Sequence, residues 1–166
     1  MSRNLGKATG ATNFATVEKP VTSGVTVTDG DFVKLASGRV TNATIGTGRL
    51  LGTVNGSDST NLDSPSYRST TVGDANGTKT VLVELATDNR YELPVSASLA
   101  ADAEGSYYNL QGATGNQSVN NASKSATVGQ LLCIERIATN TAGTEFRKGV
   151  FVVSQNVMNA DATAAA

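Results

Sequence analysis

Histidine is absent from this 166-residue chain. Its absence removes the commonest general base near neutral pH and the commonest zinc ligand. A single cysteine, Cys133, excludes an internal disulfide framework. It lies within Leu131-Leu132-Cys133-Ile134, where desolvation raises a thiol's pKa, so core packing is its expected role. Tryptophan is also absent and aromatics make up only 5% of the residues, which counts against a sugar platform of stacked rings. The strongest apolar stretches, 131–134 and 150–153, fall far short of the roughly 20 residues that cross a bilayer. Charge is sparse at 16%, with a net charge of −1. Nucleic acid is therefore not an expected partner, because phosphate binding needs a dense Lys/Arg surface, and neither is a membrane. The start, Met1 to Lys7, has no apolar run of the kind that export signals carry, which predicts a chain that stays in the cytosol after synthesis.

What the chain does have is Thr, Ser, Asn and Gly, set among short β-branched runs. Val25-Thr26-Val27-Thr28 alternates apolar and polar residues, which places Val25 and Val27 on one face of a sheet. Asp29-Gly30-Asp31 breaks that run, Phe32-Val33-Lys34-Leu35 forms the next strand, and Arg39-Val40-Thr41 returns after a turn at Ala36-Ser37-Gly38. Leu50 to Val54 reads as strand, ended by the hairpin signal Asn55-Gly56. Residues 57–79 read as a long polar loop, a length uncommon in a compact domain unless it has a task. Beyond it, strands are expected at Thr80 to Leu85, Tyr91 to Val95, Tyr107 to Leu110, weakly at Gln117 to Val119, and then over 128–137 and 146–154. The last two runs are apolar on adjacent as well as alternate positions, the pattern of strands covered on both sides. Ser98 to Gly105 is the one stretch with helical signals, a Ser at its start and a Gly at its end.

These patterns predict one all-β domain over residues 21–158, an antiparallel β-sandwich or small β-barrel, large enough to bury roughly 70% of the unfolded chain's surface. Residues 159–166 read as a loose tail. Residues 1–20 read as an extended N-terminal arm with Arg3, Lys7 and Lys19 set among the isolated apolar residues Phe14 and Val17. As a tether, that arm inserts Phe14 and Val17 into a neighbouring subunit while its basic residues meet acidic surface. As a terminus, it frays.

The sequence holds little else that carries chemistry. Asp29-Gly30-Asp31 supplies oxygens that suit calcium, but Asp and Gly in this order are also what a tight turn requires. The glycines at 46–48 and 112–115 are followed neither by Lys-Ser/Thr nor by a helix that could receive a phosphate. No carboxylates stand in a catalytic motif, so neither an enzymatic activity nor a cofactor is expected.

The segment Val25 to Val40, with Gly30-Asp31-Phe32-Val33 at a strand start, followed by Leu51-Gly52-Thr53-Val54, resembles the opening meander of small β-rich capsid decoration, or cement, proteins of tailed bacteriophages. Looser matches lie at Val81 to Leu85, Gly105 to Leu110, Gly129 to Leu132 and Val150 to Val153, so the resemblance spans roughly residues 21–154. Gly-Asp-x-Val hairpins also occur in lipoyl-type carriers, but those modify a lysine in a tight hairpin, and no Met-Lys dipeptide occurs here. The resemblance implies a protein, often trimeric, that binds the outside of an assembled shell and ties major capsid protein subunits together. It is then made in the host cytoplasm and leaves the cell on the virion. The same composition admits a neck, tail or baseplate component, or a carbohydrate-binding adhesin that uses Tyr91, Tyr107 and Tyr108.

Overall fold

The computed structural model describes residues 8–9, 15–43, 49–57, 70–86 and 89–154. The chain is all-β, built from antiparallel sheets as the strand pattern predicts, and the described residues contain no helix. The first half supplies β2 (Thr16–Pro20), β3 (Thr26–Thr28), β4 (Phe32–Ala36), β5 (Arg39–Asn42), β6 (Gly52–Ser57), β7 (Thr70–Val72) and β8 (Thr80–Leu85). Five of these form one sheet in the order β2-β8-β6-β4-β5, while β3 and β7 pair as a separate ribbon. The sheet's outer strands meet where Val21 bridges Val40, so the sheet curls round a core of Val21, Val27, Val33, Val40, Val54, Val81 and Val83. Valines dominate because branched side chains suit the pleated inner face of a narrow barrel.

The second half repeats this arrangement. It contains β9 (Arg90–Pro94), β10 (Tyr107–Gln111), β11 (Ser118–Ser125), β12 (Leu131–Ile137) and β13 (Lys148–Val153), ordered β9-β13-β12-β10-β11. Val95 bridges Val119 as Val21 bridges Val40. The backbone bonds that frame the first half recur at matching places. Gly30 N–H donates to Val54 O and Gly105 N–H to Cys133 O, both at 2.8 Å; Thr22 N–H donates to Val40 O and Ser96 N–H to Val119 O, both at 2.9 Å. Gly30 and Gly105 both take the positive φ that glycine adopts without strain (87° and 80°). Each half has a register shift in the fourth strand of this pattern, starting at Val54 in β6 and at Cys133 in β12. Val17-Glu18-Lys19-Pro20-Val21 thus corresponds to Tyr91-Glu92-Leu93-Pro94-Val95, and Phe32 to Tyr107. The structure is one sheet plan built twice in tandem.

The two copies join through one seam. Phe32, Ala43, Leu50 and Ala86, on the outside of the first sheet, belong to the core of the second half, together with Tyr91, Leu110, Leu131 and Phe151. The Phe32 and Tyr91 rings meet edge-on at 4.9 Å between centroids, an arrangement that contributes about 1 kcal/mol beyond the area it buries. Gln117 fixes the backbone there: its Oε1 accepts from Phe32 N–H at 2.7 Å and its Nε2 donates to Phe32 O at 3.0 Å. Asn42 Nδ2 and Thr114 Oγ1 both donate to Thr26 O, at 2.8 and 2.6 Å.

Several segments differ from the sequence expectation. Ser98 to Gly105 is not helical but two successive turns, closed by Ala103 N–H to Ala100 O and Ser106 N–H to Ala103 O. The Ser98 hydroxyl accepts from Phe146 N–H instead of starting a helix. Asn55-Gly56 lies inside β6 at its register shift and does not end the strand. The far end of the polar stretch after β6 forms β7, which pairs with β3, and Asp74 closes a turn by accepting from Thr78 and Lys79 N–H. Residues 58–69, and the tail at 159–166, lie outside the described residues. The weak strand expected at Gln117 to Val119 extends to Ser125 and is eight residues long.

Candidate interaction surface

Part of the expected N-terminal arm lies on the chain's own sheets. Ala8–Thr9 (β1) adds a short strand to β9, pairing with Tyr91 and Arg90. Val17 and Lys19 lie in β2, opposite Val83 and Val81 of β8, and Val17 packs against the first half's own core. Pairing with β8 overrides the polar character of Glu18-Lys19-Pro20 because an edge strand needs only backbone partners and one inward residue. Glu18 stays outward, its Oε1 accepting from the Thr80 hydroxyl at 2.6 Å. Arg3, Lys7 and Phe14 lie outside the described residues.

The acidic turn Asp29-Gly30-Asp31 has a structural task. Asp31 is fully buried, and its carboxylate accepts from Thr28 N–H at 3.0 Å and from Gly115 N–H at 2.8 and 3.0 Å. It therefore closes its own turn and binds the hairpin of the second half. N–H donors thus point at the Asp31 oxygens that a cation would need. Among the described residues no three Cys, Asp or Glu side chains stand close enough to hold a metal ion. Two other carboxylates form exposed pairs, Asp102 with Lys124 at 2.5 Å and Glu92 with Lys148 at 2.9 Å. Hydrogen bonds from Thr78 and Lys79 hold the Asp74 carboxyl below its usual range, and the bond from Lys124 does the same for Asp102.

Cys133 is fully buried, and burial, aided by the Glu104 charge, pushes its thiol up to about 11. Tyr91 and Tyr108 are buried as well. Burial raises both phenols, that of Tyr108 to about 12, and the Tyr108 ring meets Phe151 edge-on. Two of the three tyrosines that an adhesin would present to a sugar are thus core residues, leaving only Tyr107 half-exposed.

Tyr107 belongs to a surface that the sequence did not single out as a site. Strand register places Tyr107 opposite Leu132, Leu132 opposite Val152, and Val152 opposite Arg90, in one row across the outer face of β10, β12, β13 and β9. Val150 lies two residues along β13 from Val152, between Glu135 and Glu92 in register, and Ile134, 41% exposed, sits at the register shift of β12; Val128 stands 59% exposed one residue before Gly129, which lies against Tyr107. None of these side chains belongs to either core. The signal in the sequence was the run of adjacent apolar residues in β12 and β13, which implies cover on both faces. The chain's two cores account for one face only.

The fold and its surface define an all-β chain with an apolar outer face on its second half. No protein-family model matches this chain, nor does any curated protein or solved structure.

Proposed function

We propose that this chain is a non-enzymatic head decoration, or cement, protein of a tailed bacteriophage. It acts as a homotrimer that binds the outer surface of the assembled capsid and bridges major capsid protein subunits. The observation that carries the reading is the sequence segment from Val25 to Val54. Of its residues, Phe32 to Val54 fall in β4, β5 and β6 of the first sheet, with β4 between the other two, whereas Thr26–Thr28 pairs with β7 instead of continuing a meander. The looser matches at Gly105 to Leu110 and Gly129 to Leu132 fall at the corresponding places of the second sheet.

The mechanism is binding alone. Each subunit contributes modest contacts, and several subunits engaging one lattice raise avidity without any single strong site. A surface rich in Thr, Ser and Asn suits a wet, hydrogen-bonded interface of that kind. The segment with Arg3, Lys7 and Phe14 is the contact arm in this reading. The protein is synthesised in the host cytoplasm and released on the virion.

Co-sedimentation of the purified chain with undecorated, expanded capsids tests the proposal. Saturable binding at micromolar concentration is the expected outcome, and a chain that stays in the supernatant sinks it. Removing residues 1–7, which takes away Arg3 and Lys7 but leaves β1 and β2, weakens that binding at an unchanged thermal transition.

A further inference from the structure

We infer that the outer face formed by Tyr107, Leu132, Ile134, Val150 and Val152 is the surface through which copies of this chain meet. The argument rests on the tandem repeat. The first half has a corresponding face, in which Phe32 sits at the position of Tyr107 and Thr53 at that of Leu132, each pair directly opposed in register. The Phe32–Thr53 end of that face is covered, with Phe32 1% and Thr53 2% exposed, because the second half of the same chain packs over them, while Asn55 and Leu82, the counterparts of Ile134 and Val150, are exposed. The same place on this fold is thus already used once to receive another unit of the fold.

On the second half the corresponding face is open and more apolar. Leu132 replaces Thr53, Val152 replaces Glu84, and Ile134 replaces Asn55. A face meant for water would be expected to change the other way, since an antiparallel sheet with one wet side alternates apolar and polar residues. Clusters of this kind on a soluble protein mark contact sites. Charged residues border it, with Arg90 at one end of the row and Glu135 and Glu92 on either side of Val150, Glu92 being paired with Lys148. An apolar centre with a polar rim is the anatomy of a protein interface. The occupant is a second copy of this chain, because a unit of this same fold is what covers Phe32 and Thr53, the counterparts of Tyr107 and Leu132, within it.

The inference supplies the self-contact that the proposed trimer requires, and its test involves no capsid, so its failure and that of the decoration reading are distinguishable. Sedimentation velocity of the full chain should give a multiple of the monomer mass. The triple variant Leu132→Thr, Ile134→Thr, Val152→Thr keeps β-forming residues at outward positions and should sediment as a monomer with an unchanged far-UV spectrum, its self-association weakened by about a hundredfold or more. A second measurement needs no variant: nitration of Tyr107, read by peptide mass, should fall as protein concentration rises. A wild-type chain that stays monomeric at high micromolar concentration overturns the inference. So does a folded variant of wild-type mass, or Tyr107 nitration that is independent of concentration.

Discussion

Phe32 and Tyr107 occupy the same position in the two repeats, two residues after a positive-φ glycine, yet Phe32 is buried against Tyr91 while Tyr107 faces outward. The pair shows how one sheet plan serves two ends. In the first half the aromatic ring joins the halves together, and in the second it stands at the border of an apolar face. The consequences differ for each residue.

Truncating Phe32 removes a ring from the seam and leaves a cavity beside Tyr91. Phe32→Ala should cost about 3–5 kcal/mol of unfolding free energy in a urea titration. Tyr107→Ala, measured at a dilution where the chain is monomeric, should change stability by less than about 1 kcal/mol. Equal losses for the two variants would mean that the seam does not depend on Phe32.

Gln117 and Asp31 act on the same seam through the backbone. Gln117→Leu leaves the Phe32 N–H without its acceptor in a buried place, at a cost of about 2 kcal/mol. Asp31→Ala removes the acceptor for Thr28 and Gly115 N–H and should cost a similar amount. Because both side chains hold neighbouring parts of the 114–117 hairpin, the double variant should fall short of the sum. Strict additivity in chemical denaturation would show that the two contacts are independent.

The Tyr108 hydroxyl is buried and finds no hydrogen-bond partner among the described residues. An unpaired buried hydroxyl opposes folding, so Tyr108→Phe, which keeps the ring and its contact with Phe151, should raise stability by about 1 kcal/mol. A lower melting temperature in calorimetry would reveal a partner for that oxygen.

Alkaline pH should weaken the second half. The Cys133 thiol is raised from 9.0 to about 11 and the Tyr108 phenol from 10.0 to about 12. For both, the folded state favours the neutral form, so their contribution is fully present below the unfolded pKa and is lost as pH rises through the folded one. For Cys133 the window is roughly pH 9 to 11, with a loss on the order of 2 kcal/mol. Cys133→Ala should flatten the fall of stability over that window, and a slope equal to wild type would rule the thiol out as its source.

Alternation made much of this fold legible. Val25 and Val27, Val81 and Val83, and the runs 131–137 and 148–153 stand where their patterns place them, since a half-buried strand needs an apolar residue at every second position. The pattern failed where pairing rather than burial makes the strand. In β11, Asn120 to Ser125 carry polar or small side chains and are held by their bonds to β10, while β2 gains its place from β8. Ser98 to Gly105 imitated a helix because Ala and a Ser start permit one, yet Leu99 and Ala103 are claimed by the core of the second half. The repeat itself hid because few positions keep their residue. Glu18 and Glu92, Pro20 and Pro94, and Val21 and Val95 do, but the valines inside the first barrel become Tyr108, Cys133 and Phe151 in the second. Of the expected contact residues, Val17 and Lys19 belong to a strand, and the apolar face around Leu132 becomes visible only once register sets four strands side by side.

Cys133 is the chain's single thiol, and it sits where β12 shifts register, inside the second half alone. Its position makes it a natural clock for one half of the molecule. A thiol reagent added to the intact protein can react only when that barrel opens, so the labelling rate measures its breathing while the first half stays silent. Moving a cysteine to Val54, the corresponding site of the first half, in a Cys133→Ala background would start a second clock, and the ratio of the two rates would show which half lets go first.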